Sequence, residues 1–169
     1  IAIEATGAGL AIINSGDITI TGTNAIKALG TSATITNNSG GTIQSAGTTI
    51  NSTASTFKLT NNSEGEVIST VNNGVVLAGD GAEIINAGTV QADKYGIKGT
   101  ATNSGTSSII TNSGYIYGTT NRAIYIDGSA YTITNQSAGL IRAGSDGSTT
   151  GAHKLAIEAD DNGTNLTIN

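Results

Sequence analysis

The sequence predicts an all-β chain wound as a right-handed, single-stranded parallel β-helix, a solenoid of about 6–7 coils with 23–26 residues each. Three observations predict it. A short grammar recurs from end to end: "ATITNNSGGTIQSAG" at residues 33–47 echoes "LAIINSGDITITG" from Leu10, "FKLTNNSEGEVIS" from Phe57 and "AEIINAGTVQA" from Ala82. The same pattern returns as "SIITNSGYIYG" from Ser108 and "YTITNQSAGLIRAG" from Tyr131. Three columns of equivalent residues also keep pace along the chain. Within each repeat, apolar and polar residues alternate at period 2, and helical spacing is nowhere sustained.

Each coil holds three short strands. The first carries Ile3, Ile26, Ile50, Val76, Ile97, Ile124 and Ile157 in successive coils. The second ends on Asn14, Asn37, Asn61, Asn86, Asn112 and Asn135, separated by 23, 24, 25, 26 and 23 residues. The third follows a glycine turn and carries Ile18, Ile43, Val67, Val90, Ile116 and Ile141. No strand is long enough to stand alone, so stability requires stacking the coils in parallel, Ile upon Ile. At about 4.8 Å per coil the rod is about 30 Å long. Its hand follows from the right-handed rule for parallel crossovers. Between the second and third strands the chain turns within two to four residues, where Asn and Gly tolerate left-handed backbone. A side-chain amide both donates and accepts, so the six asparagines in register predict a structural hydrogen-bonded ladder.

Residues 1–169 read as one β-helix segment, with two insertions, near 99–108 and 144–154, expected to leave the stack as side loops. Only 11% of residues are charged, against about 25% in ordinary domains. The fixed placement of the apolar residues nonetheless separates the chain from a disordered polar tract. Net charge is −5 and the seven Lys and Arg are dispersed, which argues against a nucleic-acid surface. No apolar run approaches the roughly 20 residues of a membrane span. There is no cysteine, hence no disulfide or thiolate metal site. The absence of methionine, even at position 1, leads to the expectation of an excised or processed segment, and residues 1–20 lack the pattern of a signal peptide.

Chemistry is sparse. The acidic residues Asp17, Asp80, Asp93, Asp127, Asp146, Asp160 and Asp161 fall mostly in different columns, and the Asp160–Asp161 doublet reads as a solvated turn. His153 is the single histidine and reads as an exposed loop residue, so no metal, cofactor or catalytic residue is expected. Ranks of Thr-x-Thr at Thr34, Thr36, Thr132 and Thr134 are interrupted by Lys58 and Glu83, against an ice-matching face. More informative are the five tyrosines, Tyr95, Tyr115, Tyr117, Tyr125 and Tyr131. Stacking puts Tyr125 outward beside Lys98 and Glu158, and Tyr117 outward beside Gln91 and Arg142. Exposed tyrosine beside Lys, Arg and Gln can stack on a sugar or anchor a protein. Tyr117, Tyr125, Arg142 and Lys98 are therefore the candidate contact residues.

The repeated Ile-Thr-Asn-x-Gly-x-Ile-x-Gly, followed by Ala123, Ile124, Tyr125 and Ile126, resembles the passenger domains of Gram-negative autotransporters from Ile3 to Asn169. That resemblance implies a right-handed β-helix exported through the outer membrane by a C-terminal β-barrel, which this sequence does not contain. The segment starts and stops in mid-coil without a visible cap, so it is expected to be part of a longer passenger with further rod on at least one side. The expected role is non-enzymatic: a rigid adhesin or stalk at the bacterial cell surface or secreted. Its partners would be a host surface protein or glycan, or another rod by self-association. The competing class is a carbohydrate-active enzyme or tailspike-like β-helix binding polysaccharide, which needs an outer cleft with three or more acidic groups.

Overall fold

The computed structural model describes residues 1–144, 155–160 and 165–169. Apart from Gly144, the insertion near 144–154 with His153, and also Asp161, lie outside the described residues. Three parallel sheets run the length of a β-solenoid, each strand pairing with its counterpart one coil away. The first sheet joins Ile3–Ala5, Ile26–Ala28, Ile50–Ser52, Val75–Leu77, Ile97–Gly99, Ile124–Ile126 and Ile157–Ala159. In the second, Ala11–Asn14, Thr34–Asn37, Lys58–Asn61, Glu83–Asn86, Ser108–Asn112, Tyr131–Asn135 and Thr167–Ile168 are aligned. The third contains Asp17–Ile20, Thr42–Ser45, Glu66–Ser69, Thr89–Ala92, Tyr115–Gly118 and Leu140–Ala143.

Because successive strand residues face opposite ways, each sheet sends one set of side chains into the rod. Ile26, Ile50, Val75, Ile97 and Ile124 from the first sheet are fully buried. So are Ile35, Leu59, Ile84, Ile110 and Ile133 from the second, and Ile43, Val67, Val90 and Ile116 from the third. These are mostly β-branched residues, whose stiff side chains pack well on a pleated surface. One member of the expected columns changes: Val75, not Val76, pairs with Ile50 and Ile97. Leu77 is buried, and the residue that shares its face is two positions away, so Val76 points outward.

The asparagine ladder runs unbroken. Asn14 Nδ2 donates to Asn37 Oδ1 at 2.8 Å, Asn37 to Asn61 at 2.9 Å, and Asn61 to Asn86, Asn86 to Asn112 and Asn112 to Asn135 at 2.8 Å each. Every donor nitrogen also reaches the carbonyl of the glycine that precedes the third strand, from Gly16 to Gly139. From Gly41 onward those glycines serve space rather than left-handed backbone, whereas a Cβ on Gly16 would meet nothing. A Cβ on Gly41 or Gly65 would lie 2.6 Å from Asn37 or Asn61 Oδ1 respectively. In these turns the left-handed residues are Gly40 and Glu64, and the asparagines themselves are ordinary strand. Outside the buried ladder a shorter one runs the opposite way: Asn38 Nδ2 donates back to Ser15 Oγ, and Asn62 Nδ2 back to Asn38 Oδ1.

Left-handed backbone instead forms a column at the turn from the first sheet to the second: Gly9, Ser32, Thr56, Gly81, Ala130 and Asn165. Each aims the following residue inward, and Ala33, Phe57, Ala82 and Tyr131 are buried there. Tyr131 is thus a core residue, whereas Tyr95, Tyr115, Tyr117 and Tyr125 are only half-buried. The 99–108 stretch is partly folded in as well, with Ala101 and Asn103 buried and residues 104–107 exposed. Asn103 accepts from Ser108 Oγ and Gly81 N, and donates to the Ser129 carbonyl, linking three coils. Thr56 is the costliest member of the column, since left-handed backbone crowds a β-branched side chain by about 1–2 kcal/mol. Thr56→Gly should therefore stabilise the rod by about 0.5–1 kcal/mol after the entropy of the freer unfolded chain is subtracted. Chemical denaturation followed by circular dichroism checks this, and equal or lower stability would show that the turn is relaxed.

Candidate contact surface

The outward rank of the first sheet reads Glu4, Lys27, Asn51, Val76, Lys98, Tyr125 and Glu158. Its two ends are tied by ion pairs between coils. Lys27 Nζ lies 3.2 Å from Glu4, and Arg122 grips Glu158 with Nε at 2.6 Å and Nη2 at 2.9 Å. Between them sits the densest aromatic cluster. Tyr95, in the turn just before the fifth strand of this sheet, stacks on Tyr125 with ring centroids 4.9 Å apart and planes 17° from parallel. Lys98 Nζ stands 5.9 Å from the Tyr95 centroid and 5.5 Å from that of Tyr125, within cation–π range of both.

Tyr125 Oη donates to Asp160 Oδ2 at 2.8 Å. That hydrogen bond, then burial and the charge of Asp127, favour the neutral phenol and push its pKa up to about 12. A carboxylate thus holds the half-buried ring in place.

The structure brings Lys98 and Tyr125 together as register partners and does the same for Tyr117 and Arg142. The two pairs stand on different sheets, the first and the third, so they form two patches. On the third sheet Tyr117 stacks on Tyr115, with centroids 5.6 Å apart, in a rank that also holds Gln91. Arg142 is exposed at the end of that rank. Tyr95 and Asp160 complete the first patch, and sequence reasoning did not assign them to it. Both lie just outside strands, where alternation gives no direction, although Tyr95 is only three residues before Lys98.

On the second sheet Ile13, Thr36, Thr60, Ile85, Thr111 and Thr134 follow one another outward. Ile13 is 78% exposed there, and a Lys58–Glu83 ion pair of 2.8 Å crosses the face. A shallow groove of about 270 Å³ lies over the turns at Thr21–Thr23, Ala46–Gly47 and Val71–Asn72. Among the described residues, no three His, Cys, Asp or Glu side chains are grouped as a metal site. No known family model matches the chain, and neither a curated protein nor a solved structure matches it.

Proposed function

We propose that this chain is a non-enzymatic segment of a longer, autotransporter-type passenger, displayed at the bacterial cell surface or secreted. In that role it is a rigid rod that holds adhesive patches at fixed spacing for a host surface protein or glycan, or for a neighbouring rod. The observation that carries the reading is the Tyr95–Tyr125 stack beside Lys98, standing outward on an uninterrupted sheet. Rings fixed in advance by stacking and by Asp160 lose little freedom when a partner docks, and tyrosines of this kind are common anchors of interfaces. The second patch, Tyr117 with Arg142, adds a guanidinium suited to carboxylate or sulfate groups. Patches of modest strength repeated along associated rods sum by avidity.

Binding of the purified chain to immobilised matrix proteins and glycans tests the proposal. The Tyr117→Ala/Tyr125→Ala double variant should keep its β-sheet circular dichroism and lose about tenfold or more in affinity, as loss of an interfacial anchor does. Unchanged binding would move the contact elsewhere on the rod. Absence of binding by either protein would leave this segment as stalk alone.

A further inference from the structure

We infer that Tyr95 and Tyr125 form an oxidative cross-linking site, at which a one-electron oxidant joins the two rings as dityrosine and staples one coil to the next. The rings are half-buried and stacked at 4.9 Å between centroids, so two phenoxyl radicals generated there would be neighbours from the start. Asp160 Oδ2, 2.8 Å from the Tyr125 hydroxyl, is placed to take the phenolic proton as the electron leaves. Lys98 acts against electron loss through its positive charge near both rings, and transfer of the proton to Asp160 offsets it by keeping the radical neutral.

The step balances simply. Each phenol gives up one electron and one proton, the ring carbons ortho to the hydroxyls join, and the ring hydrogens shift to restore both phenols. Hydrogen peroxide, acting through a haem peroxidase, accepts the two electrons and two protons and becomes water. A chain without cysteine cannot tie its coils with disulfides, and this pair offers another covalent tie across the stack. The remaining tyrosines are placed differently. Tyr115 and Tyr117 share one strand, so their coupling would join no coils, and Tyr131 is 1% exposed in the core.

Dilute protein treated with hydrogen peroxide and a haem peroxidase should yield a monomer lighter by two hydrogen atoms and carrying dityrosine fluorescence. Peptide mapping should find residues 95 and 125 joined. Tyr95→Phe and Tyr125→Phe, which keep both rings in the stack, should each abolish the product, whereas Tyr117→Phe should leave it intact. Asp160→Asn should slow coupling, and an unchanged rate would remove the carboxylate from the step. The inference is overturned if no monomeric product forms, if it survives in either of the first two variants, or if coupling joins only separate chains.

Discussion

Replacing Asn61 with alanine lowers the stability of the rod by about 4 kcal/mol, while the same change at its neighbour Asn38 costs about 0.5 kcal/mol. The difference lies in burial and direction. Asn61 is fully buried, accepts from Asn37 and donates to Asn86 Oδ1 and to the Gly65 and Thr89 carbonyls. Alanine leaves the Asn86 oxygen without its ladder donor and breaks the polarised chain of amides in the middle. Each buried polar group left unpaired costs about 1–3 kcal/mol, because water cannot replace the lost partner. Asn38 hydrogen-bonds nearer the surface, where solvent takes over. Guanidinium unfolding of both variants, followed by circular dichroism, makes the comparison. Equal losses would show that the amide matters only as a turn former and that the ladder adds nothing.

The second large effect is expected where the tallest core side chain meets the smallest. Gly99 occupies an inward position held in other coils by Ala28, Ser52, Leu77 and Ile126. A Cβ there would lie 2.6 Å from Tyr131 Cζ and 2.7 Å from its hydroxyl oxygen. The ring cannot swing aside: it is buried, and its hydroxyl accepts from the Ala101 backbone N–H at 3.3 Å. Gly99→Ala should therefore cost about 2–3 kcal/mol by overpacking, although the glycine's backbone is ordinary strand. Tyr131→Ala should cost about 3–5 kcal/mol through the cavity it leaves. Combining Gly99→Ala with Tyr131→Leu should cost clearly less than the two changes apart, since the methyl then enters vacated space. Strict additivity in the melting curves would mean that the two residues do not share one volume.

Most of the architecture could be read from the residues because a stacked coil repeats its errors and its solutions alike. An isoleucine that returns in register can only be facing its own kind, and a returning asparagine identifies the ladder before any coordinates. Failures arose where the local pattern was degenerate. Val75 and Val76 are equally apolar, and only the burial of Leu77 decides between them. Tyr131, left without a direction by the sequence reading, shares its face with Ile133, so its inward direction was present in the alternation. Ser32, Thr56 and Ala130 carry no hint of left-handed backbone, because the stack imposes it against their preference. For the contact surface, register placed Lys98 beside Tyr125 and Arg142 beside Tyr117. The ring stack with Tyr95 depends on the path of a turn, which no periodicity encodes.

In the buried ladder every coil offers a donor to the coil after it and an acceptor to the coil before it. Such a unit has a sense, as a word does, and can be copied or excised whole without upsetting the sentence. A gene that duplicated the stretch from one ladder asparagine to the next would lengthen the rod by one coil, about 4.8 Å, with every junction satisfied. Cutting within a coil would instead take a ladder asparagine out of register and leave its neighbours unpaired, or shift the inward face outward. Reach is therefore the property this design lets evolution vary most freely, in steps of a single coil.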